Sequence, residues 1–179
     1  FQNVLPYALP VGKNITASRE KADAAKLQKV LKAACLTDIF DPDNGSLDND
    51  LTREFSEDGI ILSGGQLQKT ALARALYRNA SLLVLDESTS AADPETEIQL
   101  METIARQKTG RIVMQISHKL SCVRNGSKIL YLEKGRILES GTHEELLAGK
   151  GSYYELFSHQ AEKFRKENEK NILRREIWT

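Results

Sequence analysis

Apolar residues recur along the chain at two different spacings, and the spacing divides it into segments. Within residues 21–34, Ala24, Leu27, Val30, Leu31 and Ala34 fall three or four apart, the spacing of one helix face. The interval returns at Leu67, Ala71, Leu72, Ala75 and Leu76, which predicts a second helix beginning near Gly65. Ser81-Leu82-Leu83-Val84-Leu85-Asp86 is different: a short apolar run of the kind found in a buried parallel strand. Residues 111–116 predict another strand. Between the two strands, Asp93-Pro94 opens a helix, with an N-cap residue followed by proline at the first helical position. Residues 128–132 and 136–138 flank Lys134-Gly135 as a hairpin. Thr142-His143-Glu144-Glu145 is a capping box, and residues 153–177 read as a long charged helix with sparse apolar contacts.

Strands alternating with helices predict an α/β fold with a mostly parallel sheet. Three parts separate by composition: 1–80, mainly helix and loop; 81–150, where strands and helices alternate; and 151–179, a terminal helix. Residues 38–58 carry eight acidic side chains against the single Arg53, and read as a solvated surface. Residue 3 to residue 16 reads as a loop, with Tyr7 between Pro6 and Pro10.

Charge narrows the functions available. Lysine plus arginine number 25 and aspartate plus glutamate 25, so the basic excess that phosphate-neutralising nucleic-acid binders need is missing. The 40% hydrophobic content suffices for one sizeable core, and no window approaches the roughly 18 apolar residues of a membrane span. The first residues show no basic region followed by an apolar core, so no signal peptide is expected. A start on Phe1 inside an apparent strand end reads as a piece of something longer. Cys35 and Cys122 lack metal or redox spacing and are expected as small buried hydrophobes in a reducing compartment.

Leu62-Ser63-Gly64-Gly65-Gln66 stands directly before the second helix. Two glycines let backbone approach a ligand, free N–H groups at a helix start attract an anion, and Ser63 adds a hydroxyl donor. The residues read as a phosphate site, although a serine-capped glycine turn has the same composition. Further on, Asp86-Glu87 closes the apolar strand, and open α/β sheets bind ligands outside strand carboxyl ends. There Asp86 can hold Mg²⁺, usually through water, and Glu87 can accept a proton from an attacking water. Such a pair also serves elsewhere as a plain polar edge. His118 follows the next strand, again at a carboxyl end, whereas His143 and His159 carry no comparable signal.

Taken in order, Gln2, residues 62–66, residues 82–87, Ser90-Ala91-Ala92-Asp93 and His118 strongly resemble the ATP-binding cassette family of ATPases. The resemblance runs from that family's glutamine loop to its carboxyl end and covers essentially the whole chain. Gln2 matches the glutamine loop, 62–66 the signature motif, and 82–87 the Walker B strand with its catalytic glutamate. Residues 90–93 match the D-loop and His118 the switch histidine. Gly135-Arg136-Ile137-Leu138-Glu139-Ser140-Gly141-Thr142-His143-Glu144-Glu145-Leu146-Leu147 is close to the usual ending of exporter cassettes.

The resemblance implies part of a P-loop NTPase fold of the cassette type. Residues 1–80 would hold the glutamine loop, helical subdomain and signature helix. Residues 81–150 would be the C-terminal part of the RecA-like core, and 151–179 the C-terminal helix. The Walker A loop, Gly-x-x-x-x-Gly-Lys-Ser/Thr, is absent from the sequence, as is an adenine-stacking aromatic residue. Gly12-Lys13-Asn14 lacks the earlier glycine and the final hydroxyl, and Gly149-Lys150-Gly151 has Glu144 where the first glycine belongs. Both missing motifs precede Gln2 in the family, so truncation is the expected reason. Ser56-Glu57-Asp58-Gly59 departs from the usual Gly-Glu-Arg-Gly-like loop, and Lys69 replaces a commoner arginine.

By resemblance, the parent protein would hydrolyse ATP with Mg²⁺ and power an exporter at the cytoplasmic face of the cell membrane. Asp86 would serve Mg²⁺, Glu87 polarise the attacking water, His118 stabilise γ-phosphate charge, and Gln2 sense both metal and water. Ser63, Gly64, Gly65 and Gln66 would clamp ATP held by a second cassette, and Asp93 would connect the two sites. The implied partners are that second cassette, identical or not, and a transmembrane domain met by residues 3–16; nucleic acid is not expected. The alternative is a soluble cassette ATPase acting on nucleic acid or ribosomes. Zero net charge and the exporter-like ending weigh against it. A non-catalytic partner lending only a signature loop is opposed by the intact Asp86, Glu87 and His118.

Overall fold

A computed structural model describes residues 5–18, 22–41, 45–54, 56–87, 94–106 and 110–177. They form two compact units, Phe1–Ile116 and Ser117–Thr179.

In the first unit, part of the segment expected as a loop is helical. Helix α1 (Val11–Thr16) buries Val11 and Ile15 completely and stops where Ala17 turns left-handed. Its stability comes from tertiary contacts, because so short a helix is marginal alone. The fully buried Asn14 supplies the polar half. Its Oδ1 accepts from Tyr7 N at 2.9 Å, and its Nδ2 donates to the carbonyls of Tyr7 (2.9 Å) and Leu9 (2.8 Å).

Helix α2 (Ala24–Ala33) starts inside the predicted span because Asp23 caps it, accepting from Lys26 N at 3.0 Å. Leu27, Val30 and Leu31 face the core. Helix α3 (Gly64–Arg78) packs beside it: Asp23 N donates to Tyr77 Oη at 3.1 Å, and the Lys26 ammonium lies 4.5 Å from the Tyr77 ring centre. Cys35 is half-buried rather than buried, and its thiol donates to Gln99 Oε1 at 3.1 Å.

The acidic stretch is solvated as expected, with Asp38, Asp41, Asp48, Glu54, Glu57 and Asp58 exposed, yet Phe40, Leu47 and Leu51 anchor it in the core. Gly59 has a steric reason, since a Cβ there would sit 1.9 Å from the Thr52 carbonyl oxygen.

Strands β1 (Leu82–Asp86) and β2 (Ile112–Ile116) pair in parallel from Leu82↔Ile112 to Asp86↔Ile116, with helix α4 (Pro94–Arg106) as the crossover. Leu83 and Leu85 join Leu100 and Ile104 of α4 in the core. The other face carries Leu82, Val84, Ile112, Met114 and Ile116, each at least 50% exposed. Among the described residues of this unit, the apolar run is therefore covered on one face only.

The second unit contains helix α5 (Leu120–Val123), strands β3 (Ile129–Glu133) and β4 (Arg136–Gly141), and helices α6 (His143–Gly149) and α7 (Ser152–Ile177). The predicted hairpin forms from antiparallel β3 and β4. Lys134 (φ 49°) and Gly135 (φ 75°) both take the left-handed conformation that a two-residue type I′ turn demands. Both halves of the Thr142–Glu145 capping box form at α6. Leu120, Ile129, Leu146 and Tyr153 make the core. The described strands thus form one parallel pair and one antiparallel pair, rather than a continuous, mostly parallel sheet. No described helix is long and apolar enough to cross a membrane.

Asn14→Ala removes the side-chain bonds to Tyr7, Leu9 and Arg74 at once, and should lower the unfolding free energy by about 2–4 kcal/mol. Urea denaturation measures the loss, and hydrogen exchange at the Tyr7 amide should accelerate in parallel.

Candidate active site

The signature corner is built by a reciprocal cap. Ser63, in extended conformation, is the N-cap of α3. Its Oγ accepts from Gln66 N at 3.3 Å, while Gln66 Oε1 accepts from Ser63 N at 2.8 Å. The cap uses Ser63 as an acceptor and leaves its O–H able to donate. The backbone N–H groups of the first helical turn have no acceptor within the helix, and the dipole adds partial positive charge there. A Cβ built on Gly64 would meet nothing within 4 Å, and its φ is not positive. Neither this chain's packing nor its backbone conformation requires glycine at that position.

A polar column runs down α3 from this corner. Thr70, fully buried, donates from Oγ1 to Gln66 O at 2.9 Å. One turn further, Arg74 Nε donates to Asn14 O at 2.6 Å and Nη2 to Asn14 Oδ1 at 3.3 Å, with the guanidinium 4.8 Å from the Tyr7 ring centre. Burial lowers the Arg74 pKa from its ordinary value, against an opposing contribution from Tyr7. Among the described residues no carboxylate pairs with it. Asn14 and Arg74 are absent from the candidates named by sequence. The available signal was the four-residue spacing Gln66, Thr70, Arg74 inside an otherwise apolar register.

The carboxylates lie at the carboxyl end of a parallel strand. Asp86 ends β1, opposite Ile116. Glu87 follows with φ 46°, while its N–H donates to Ile116 O at 2.9 Å. The ladder thus continues one residue past the strand before the chain leaves the sheet. A non-glycine residue in this conformation costs about 1–2 kcal/mol.

His118 belongs to the second unit and is exposed. Beside it, Ser117 Oγ accepts from Lys119 N at 3.0 Å. Its own carbonyl accepts from Gln160 Nε2 of α7 at 2.7 Å. The signature corner and the Asp86-Glu87 pair belong to the first unit. Gln2 and residues 90–93, Asp93 included, lie outside the described residues. His143 has a packing role: Nδ1 is 2.9 Å from Tyr153 Oη, and its ring meets Phe157 edge-on at 4.9 Å. Burial, with Glu144 adding, raises the Tyr153 phenol above its usual pKa.

A parallel βαβ unit with an acidic pair at its carboxyl end and a glycine-rich helix start elsewhere in the chain are parts of an α/β P-loop NTPase of the cassette type. Residues 3–90 match the family model described as ABC transporter. The chain is 39% identical over 155 residues to the ATP-dependent lipid A-core flippase of Cupriavidus pinatubonensis, covering 85% of this chain and 26% of that protein. Against the flippase of the same name from Bordetella avium, the identity is 44% over 140 residues, covering 78% and 23%. A bacterial Atm1-family ABC exporter solved with ATP bound superimposes with a TM-score of 0.79 at 32% identity, over 90% of this chain and 28% of that one. The chain spans about a quarter of the length of these relatives. It belongs to the ATP-binding cassette family.

If Gly64 is kept for a partner rather than for packing, Gly64→Ala should leave the fold intact and raise the unfolding free energy by about 0.5–1 kcal/mol. A loss of more than that amount in urea denaturation would show that the chain itself needs the glycine.

Proposed function

We propose that this chain is the signature-bearing and catalytic part of an ATP-hydrolysing cassette that powers a membrane exporter. The observation that carries the reading is the Asp86-Glu87 pair at the carboxyl end of β1, with Glu87 turned out of the sheet at φ 46°. Sequence likeness to proteins named as ATP-dependent flippases supports it.

In this reading, Glu87 accepts a proton from the attacking water, and His118 stabilises the charge that develops on the γ-phosphate. Ser63 donates its hydroxyl hydrogen, and the Gly64 and Gly65 amides theirs, to ATP bound by a second cassette; Gln66 holds that corner through the cap. Gln2 and Asp93 take their roles, sensing metal and water and linking the two sites, from the family resemblance alone. Among the described residues no group of three or more His, Cys, Asp or Glu side chains is gathered to cage a metal. That fits Mg²⁺, which keeps much of its water and takes one or two carboxylates alongside phosphate oxygens. Asp86 offers the hard oxygen ligand. When bound, the ion supplies charge neutralisation along the phosphates.

The partners proposed are a second cassette, pairing head to tail over two nucleotides, and an exporter's transmembrane domain at the cytoplasmic face of the membrane. Residues 1–80, 81–150 and 151–179 divide the work as helical and signature part, core part and C-terminal helix. The Walker A loop that grips the β- and γ-phosphates comes from sequence other than these 179 residues.

Two measurements test this. Residues 1–179 alone should bind Mg-ATP weakly and show no steady turnover, for want of that loop; tight binding or hydrolysis overturns the assignment. In the full-length protein, Glu87→Gln keeps the side chain's shape without its basicity. Turnover should fall about 100-fold or more while ATP-driven pairing persists, and a loss of only a few-fold removes Glu87 from the role of base.

A further inference from the structure

We propose that Gln160, on α7, is the positioning residue for His118. The proposal rests on the reading above that His118 acts on the nucleotide. One carboxamide grips the backbone on both sides of Lys119. Gln160 Nε2 donates to His118 O at 2.7 Å, and Gln160 Oε1 accepts from Leu120 N at 3.1 Å. Only this orientation of the amide works, because the reverse would set donor against donor and acceptor against acceptor.

The backbone here has need of such a grip. Helix α5 begins at Leu120, and its N-cap, Lys119, makes no side-chain cap hydrogen bond. Gln160 gives one of the unsatisfied N–H groups at that helix start the acceptor a capping side chain would have given. His118 itself is exposed, and the direction in which it leaves the backbone depends on the conformation of residues 118–120. The bonds at residues 118 and 120 fix that direction from behind.

Gln160 is in turn held by the helix that carries it. Tyr153, Phe157 and Gln160 lie on one face of α7 at helical spacing. Tyr153 N donates to the Glu139 carboxylate of β4 at 3.3–3.4 Å, while Tyr153 Oη meets His143 Nδ1. Phe157 packs on the core formed by Leu120, Ile129, Leu146 and Tyr153. The hairpin and α6 therefore set the start of α7, and two turns later α7 sets the backbone of His118. The C-terminal helix becomes part of the catalytic machinery without touching substrate.

The test is a double-mutant cycle in the full-length ATPase, with His118→Ala, Gln160→Leu and both together. Gln160→Leu should lower kcat about tenfold with the KM for ATP unchanged, the loss expected from one or two mispositioned hydrogen bonds. In the His118→Ala background it should cost no more than about twofold, because a residue acting through His118 has nothing left to act on. Gln160→Glu keeps the acceptor for Leu120 N and loses the donor to His118 O, so its kcat should also fall. Glu162→Gln changes an exposed position of α7 away from that contact chain and should leave kcat within about twofold.

The proposal is overturned if Gln160→Leu leaves kcat unchanged, if it costs as much in the His118→Ala background, or if Glu162→Gln matches it. Should His118→Ala alone leave turnover intact, the catalytic reading of His118 fails first and takes the proposal with it.

Discussion

One buried amide side chain, that of Asn14, ties three parts of the first unit together. It closes the loop at Tyr7 and Leu9, belongs to α1, and with its own carbonyl receives Arg74 from α3. Asn14 itself is fully buried, so its amide without these partners would cost several kcal/mol. The arginine is equally dependent, since it pairs with neutral oxygens and an aromatic face rather than a carboxylate. The loop before α1 and the helix that begins at Ser63 therefore share one polar centre. A change in backbone conformation at Tyr7 has to alter bonds in which Arg74 takes part.

The parts of this fold legible in the sequence are those whose causes are local. The Thr142 cap depends on a partner three residues away and forms as read, and Ser63, for which a serine cap was one of two readings, caps its helix by the same spacing. The hairpin turn at Lys134-Gly135 and the apolar runs of β1 and β2 are local too. Helix α1 was not legible, because Val11 and Ile15 are its only large apolar residues and Asn14, which stabilises it, looks like a loop residue. The acidic stretch hid Phe40, Leu47 and Leu51 behind its charges. Gln160 sits in a run of polar and charged residues, and its partners are backbone groups some forty residues earlier. Asp86, Glu87 and His118 are proposed from strand ends and family resemblance, whereas Gln2 and Asp93 fall outside the described residues.

Two positions of the candidate site run against local stability. Gly64 opens a helix where alanine would be the better helix former, with open space around it. Glu87 occupies a left-handed conformation that suits glycine or asparagine better. Positive φ is not confined to that site, since Ala17, Cys35, Thr52, Asn79, Lys134 and Lys150 share it, so Gly64 is the position where stability is given up without a packing reason.

The parallel pairing of β1 with β2 has a consequence in time. During synthesis the apolar run of β1 is made first, and its partner follows only after a crossover of roughly 25 residues, about 1–5 s at ordinary elongation rates. Antiparallel β3 and β4, separated by a two-residue turn, face no such delay. Leu82, Val84, Ile112, Met114 and Ile116 remain half or more exposed even once the pair has formed. For that interval the backbone N–H and C=O groups of β1 lack the partners that β2 later gives them.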